Sequence, residues 1–261
     1  MSSEMMMNWK RMQQRIGLGL GRIIVAIVLL TLSISPSIAA ESPQTQADAR
    51  TLLKTAYENR YTWDTAFPGY QAEVAVRYQD TYVQGAVMLN AELQVATQNV
   101  IDQDIRQVIM AQLQMVATQL HSTTFDEMHG QYQFALVNNE GSTAEIEETK
   151  DENSARYIVK DQAIVQVNRN IGEFTVEIKT LDSSKTNEGY LQTHFQAIFR
   201  GAKTAELIEQ DDIRDSYEKV GNYYLLAKRE IRRGNAEGWL SQLYPDTTLR
   251  FSNFQLLPTA L

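Results

Sequence analysis

Three histidines and no cysteine bound the chemistry open to this chain of 261 residues. His121 and His129 flank Asp126 and Glu127, and imidazoles beside carboxylates are metal-ligand types. Their separation is not the His-x-x-x-His spacing that puts two imidazoles on one helical face, and no third histidine lies nearby, so a polar loop at a helix end is expected. His194 falls on the polar side of an alternating segment, with no recognisable triad partner. The lack of cysteine removes thiolate catalysis, Cys-based zinc sites, disulfides and a lipidated cysteine. No Gly-x-Ser-x-Gly, His-Glu-x-x-His or phosphate-binding loop occurs. The acidic runs Glu145–Glu148 and Glu209–Asp212 lack the alternating oxygens and central glycine of a calcium loop and read as solvated turns. A non-catalytic protein with neither metal nor cofactor is expected.

One cluster stands out. Tyr57, Tyr61, Trp63, Phe67 and Tyr70 crowd into the stretch between a helical and an alternating pattern. Such rings either pin a helix to a sheet or line the mouth of a cavity for an apolar ligand.

The elements that must position these rings follow from periodicity. Ala49, Leu52, Leu53, Ala56 and Tyr57 mark one face of a helix opened by Asp48 and ended before Phe67-Pro68-Gly69. From Tyr70 the period becomes two: Tyr70, Ala72, Val74, Val76 and Tyr78 alternate with polar neighbours. Strands are expected at 81–89 and 92–99, then a helix over 102–121 with the stripe Ile101, Ile105, Val108, Ile109, Leu113, Val116 and Leu120 and a glutamine-rich back. After Gly130 come strands near Tyr132–Leu136, Tyr157–Val159, Ala163–Val167, Phe174–Ile178, Leu191–Phe199, Tyr223–Ile231 and Leu249–Leu257. Turns are read at Asn138–Gly141, Asp151–Ser154, Asp182–Ser184 and Asn187–Gly189. Strands joined by short turns make an antiparallel sheet, with two helices available to cover one face, hence an α+β domain.

Residues 1–40 stand apart. Lys10, Arg11, Arg15 and Arg22 precede the apolar run Ile23–Leu32, then Ser33, Ser35, Pro36 and the small-residue stretch Ser37–Ala40, the order of a secretory signal cleaved after Ala39 or Ala40. The apolar run is shorter than the ~20 residues of a membrane-spanning helix. The alternative, an uncleaved anchor extended back through Gly17–Gly21, is interrupted by Arg22; those glycines follow no strand and form no dinucleotide site. Taking the four basic residues and one acid of this segment from the 24 and 32 of the whole chain leaves 20 basic and 31 acidic, a net charge of −11. That balance argues against nucleic acid and anionic membrane surfaces. Residues 41–47 read as a flexible lead-in and 48–257 as one domain. The expected location is the periplasm or a thylakoid lumen, with no membrane span after cleavage.

The strings Ala56–Asp64, Phe67–Tyr70, Gly189–Leu191, Val220–Leu225 and Phe251–Leu257 resemble an uncharacterised family of exported cyanobacterial proteins, a domain of unknown function. More distantly, the order of elements is similar to LolA/LolB-like lipoprotein carriers. That likeness implies a curved antiparallel half-barrel whose concave, apolar face is covered by helices. The arginine such carriers use in the barrel has no clear counterpart here, although Arg77 lies in an early strand. The expected function is therefore an exported binding protein for a lipid or acyl chain held between sheet and helix. Tyr57, Trp63, Val74, Val76, Phe174, Val176, Phe195 and Phe199 are the candidate ligand-binding residues. The alternative is an interaction subunit with a filled core that docks an envelope or lumenal protein; an exported hydrolase lacks a nucleophile–base pair.

Overall fold

The computed structural model describes residues 43–151, 153–235, 238–239 and 245–258. The export signal expected at 1–40 lies outside the described residues. Helix α1 (Pro43–Glu58) begins at Pro43, ahead of the Asp48 cap and within the stretch read as a lead-in. It buries Ala49, Leu53 and Ala56. Helix α2 (Gln103–Leu120) is capped by Asp102, whose side chain accepts from the Ile105 amide at 2.9 Å. It buries Ile105, Ile109, Leu113, Val116 and Leu120 of the expected stripe, whereas Val108 is half-buried and Ile101, ahead of the helix, is 91% exposed. A short helix α3 (Phe125–His129) follows, opened by a capping box between Thr124 and Glu127.

The strands are β1 (Gly69–Tyr78), β2 (Thr81–Asn90), β3 (Val95–Gln98), β4 (Gln133–Glu140), β5 (Thr143–Lys150), β6 (Asn153–Lys160), β7 (Ala163–Ile171), β8 (Phe174–Thr186), β9 (Gly189–Gly201), β10 (Leu207–Val220), β11 (Tyr223–Asn235), β12 (Gly238–Trp239) and β13 (Thr247–Leu256). They form one antiparallel sheet in the order β3-β2-β1-β13-β11-β10-β9-β8-β7-β6-β5-β4, with β12 paired off this path against β11. The long meander from β4 to β11 thus joins the β1–β3 meander through β13, which pairs with both β1 and β11.

The fold expected from the sequence, an α+β half-barrel covered by helices, is overturned. The sheet is curved but not closed, and helices make up only 18% of the structure. Three strands enlarge it beyond the expected set, the two-residue β12 and the longer β5 and β10, and the latter two come from acidic segments read as turns. Their carboxylates do not all face water: Glu148, Glu209, Asp211 and Asp215 point inward and are buried. Asp182–Ser184, also read as a turn, lies inside β8 where its pairing with β9 shifts register.

Each long helix covers only part of this sheet. α1 packs Ala49, Leu53 and Ala56 on Ala144 and Ile146 of β5 and Ala155, Tyr157 and Val159 of β6. α2 lays its stripe on β1, β2, β11 and β13, in a larger core with Val74, Val76, Leu225 and Leu249. Between them, β8 and β9 carry two small clusters to which no helix residue belongs: Val176, Ala197 and Phe199, and Phe195 with Ile213 and Ile231.

Candidate functional site

A cavity of about 370 Å³ lies where the two helices leave the middle of the sheet uncovered. Its floor is mostly apolar: Ile164, Val167 and Ile171 of β7, Val176 and Ile178 of β8, and Leu191 and Phe195 of β9, with Gln166, Arg169, Thr180 and Gln192 among them. Met115 and Thr118 of α2 form one wall, and Met128 and His129 of α3 another. Tyr57, Arg60 and Tyr61, at the end of α1 and just past it, complete the rim.

The rim is positioned by backbone pairing. Tyr61 N donates to Tyr190 O at 2.9 Å and Tyr190 N to Asn59 O at 3.0 Å, which ties the segment after α1 to the start of β9. Gly189 permits that approach. It sits at φ +136°, and a Cβ there would lie 2.6 Å from Asn59 O and 2.7 Å from Tyr61 N. The Arg60 guanidinium then stacks 3.8 Å from the centre of the Tyr57 ring, and its Nε donates to Tyr57 O at 3.0 Å.

One end of the cavity carries a chain of charged and polar groups. His129 Nδ1 bonds Glu148 Oε1, and Tyr157 donates its hydroxyl to Glu148 Oε2 at 2.8 Å. Arg169 Nη2 donates to the Tyr157 hydroxyl at 2.8 Å and lies 3.7 Å from Glu148 Oε2. Burial pushes the Tyr157 phenol well up, so it keeps its proton and can serve both roles. Both oxygens of the buried Glu148 carboxyl are thereby hydrogen-bonded, the condition under which burial of a polar group is tolerated.

Behind the Phe195 wall stands Arg229, fully buried. Its Nε and Nη2 donate to the two Asp215 oxygens at 2.8 and 2.5 Å, and its Nη1 donates to Gln112 Oε1 of α2 at 2.9 Å. The guanidinium lies 5.8 Å from the centre of the Phe195 ring. Farther along the same face, Arg233 Nε lies 3.0 Å from Glu209 Oε1 and 3.4 Å from Asp211 Oδ1. Both Glu209 oxygens and Asp211 Oδ2 have no hydrogen-bond partner among the described residues. Burial pushes the Glu209 carboxyl up to about 7, with Asp211 beside it adding to the rise. Burial likewise pushes Asp211 up to about 6, against the pull of Arg233.

Of the candidate ligand-binding residues, the cavity brings together Tyr57, Val176 and Phe195, and it is also lined by Tyr61 of the aromatic cluster and by His129. Trp63 is elsewhere: it stacks on Phe67 at 4.1 Å and donates from Nε1 to Tyr224 O at 3.0 Å, pinning the helix-to-strand junction to β11. Val74 and Val76 are buried under α2, and Phe199 packs on Val176 and Ala197 without reaching the cavity. Phe174 opens β8, half-buried, opposite Gly201 and Ile171. Arg77 binds Pro245 O at 2.6 Å, away from the cavity. His121 caps the end of α2 and is exposed, while Asp126 pairs with Arg50 and Lys54, so the residues between 121 and 129 do not converge. His194 is not simply solvated: its Nε2 meets Asp212 Oδ2 at 2.9 Å.

His129, Glu148, Tyr157, Arg169 and Arg229 were not signalled as site residues by the sequence. The available hint was period-two alternation: Ala144, Ile146 and Glu148 share one face of β5, which marks Glu148 as an inward acid.

Residues 44–257 match the family model described as protein of unknown function (DUF3386). Among solved structures, a DUF1329 family protein from Desulfovibrio piger is 8% identical, with 81% of this chain and 93% of that one covered and a TM-score of 0.23. MucB in complex with MucA(peri) is 10% identical, with 78% and 91% covered and a TM-score of 0.20. Neither likeness is close enough to define a shared fold. No curated protein matches the chain.

Proposed function

We propose that this chain, which belongs to the DUF3386 family, is an exported binding protein that holds the apolar chain of a lipid-like molecule in the cavity over β7–β9. The observation that carries this reading is the cavity itself. Its volume of about 370 Å³ falls within the ordinary range for small-molecule sites, and its floor is mostly aliphatic and aromatic, with Gln166, Arg169, Thr180 and Gln192 as the polar exceptions. A packed core of the same residues would interdigitate and leave no such volume. Burying an acyl chain there gains about 25 cal/mol per Å² of apolar surface removed from water. No group on the floor discriminates among chain types, so the site would accept a range of acyl chains.

Fluorescence titration with a fatty-acid analogue tests the reading. Saturation at one site per chain is expected. Ala111→Phe, which adds bulk from α2 into the cavity, should weaken binding while leaving the melting temperature close to that of the parent. Lack of saturable binding by folded protein would instead favour an interaction subunit. Export is a separate element of the reading, supported by the basic, apolar and small-residue order of residues 1–40. N-terminal sequencing of protein from its host should begin just after Ala39 or Ala40; a start at Met1 would contradict it. No described helix is long and apolar enough to cross a membrane.

A further inference from the structure

The chain carries an excess of acids, 32 against 24 basic residues, yet the cavity reverses that balance. Its lining includes Arg60, Arg169 and His129 and no aspartate or glutamate. One of the two arginines is already compensated, since Arg169 faces Glu148 at 3.7 Å. Arg60 is not. Among the described residues it has no carboxylate within ion-pairing distance, and the one hydrogen bond of its guanidinium uses Nε. The two terminal nitrogens are left over, on a guanidinium fixed in place by stacking on Tyr57. An arginine immobilised at the rim of an apolar cavity, with a free bidentate edge, has the geometry that recognises a carboxylate or phosphate.

From this we infer that the ligand is a single-chain amphiphile with an anionic head, and that Arg60 selects the head while the β7–β9 floor takes the chain. The inference rests on the binding reading above and adds polarity and charge to it. Neutral or cationic amphiphiles of the same chain length would bury the same apolar area but leave Arg60 without a partner. The head group is drawn to the rim because the polar side chains of the floor are already engaged: Gln192 bonds Thr180 at 2.7 Å, Gln166 bonds Asn168 at 3.3 Å and Arg169 faces Glu148 at 3.7 Å. Arg60 is half-buried, so its pairing with an anion is partly shielded from water and stronger than that of a surface arginine.

Isothermal titration of the purified protein with dodecanoate, dodecyl phosphate, dodecanol and dodecyltrimethylammonium decides the matter. Both anions should bind about tenfold or more tighter than dodecanol and the cation. The preference should shrink as salt rises. Arg60→Gln should bring the anions down to the dodecanol level and leave dodecanol itself unchanged, while Arg60→Lys should keep part of the preference. A higher affinity of one anion than the other would tell a carboxylate from a phosphate head. Equal affinity for all four probes would overturn the head-group inference and leave the cavity reading standing. Absence of binding by any of them to a protein with an intact melting transition would overturn the cavity reading itself.

Discussion

Gln112 of α2 accepts a hydrogen bond of 2.9 Å from Arg229 of β11, whose guanidinium has no exposed surface. Three parts of the molecule meet at that arginine. Gln112 ties it to the helix, Asp215 to β10, and the Phe195 ring, 5.8 Å away, to the wall of the cavity. A buried cation is tolerated only when most of its donors are used, and here Nε and both terminal nitrogens have acceptors. α2 is therefore held by more than its apolar stripe, since one polar bond fixes its rotation over the sheet.

Removing only the arginine should expose that dependence. Arg229→Met leaves Asp215 buried with no cation and is expected to cost about 3–5 kcal/mol in urea unfolding. Arg229→Met combined with Asp215→Leu removes both charges and should recover much of the loss. A single variant with an unchanged midpoint would contradict the buried pair.

How far the sequence disclosed this arrangement depends on the strand. The stripes of α1 and α2 and the alternation of β1 are apolar on one side and polar on the other, so period alone locates them. β10 escapes the same test because its inward face reads Glu209, Asp211, Ile213, Asp215, nearly as polar as its outward face. Those acids are inward because β11 sets Arg233 opposite Asp211 and Arg229 opposite Asp215, a cross-strand relation that no window of a single strand contains. The cavity was half-legible for a related reason. Val176 and Phe195 carry alternation that marks them as inward, but Val74, Val76 and Phe199 carry the same mark and fill the core. Alternation gives the face of a sheet, and only the placement of α1 and α2 says which part of that face is left open.

Glu209 and Asp211 should make stability fall as pH rises. Their folded carboxyls titrate at about 7 and about 6, above the ordinary values of 4.5 and 3.8. Raised values mean the folded state holds protons that the unfolded state releases, so the contribution is complete below about pH 4 and is lost as pH climbs through 6 and 7. Unfolding free energy should decline by on the order of 2 kcal/mol between pH 5 and pH 8 from Glu209. Glu209→Gln should flatten the profile over that window. A parent profile that rises from pH 5 to pH 8 would refute the assignment.

Gly189→Ala should damage the rim without touching the floor. The residue sits at φ +136°, and an added Cβ would press on backbone atoms of Asn59, Arg60 and Tyr61, none of which is a flexible side-chain tip. The cost should be on the order of 1–3 kcal/mol of stability. The displaced segment carries Arg60 and Tyr61, so affinity for an anionic amphiphile should drop more than affinity for dodecanol. A variant with parental stability and parental affinities would show that the close approach is not needed.

The last prediction concerns α2, whose buried face separates the large core from water. Ile109 and Leu113 are 0% and 1% exposed, one turn apart, and both sit in the cluster with Val74, Val76 and Leu249. Replacing both by aspartate places two unpaired carboxylates against that cluster. The double variant should lose several kcal/mol, enough to consume much of the stability of an ordinary domain. Leu113→Ala alone, which only opens a cavity, should cost about 2–5 kcal/mol and remain folded at low temperature. If the helix instead detaches as a unit, hydrogen exchange in α2 of Leu113→Ala should accelerate while exchange in β5 and β6 stays slow, since α1 covers those strands independently. Uniform acceleration across α2, β5 and β6 would show that the two helices and the sheet unfold together and that α2 has no separate opening.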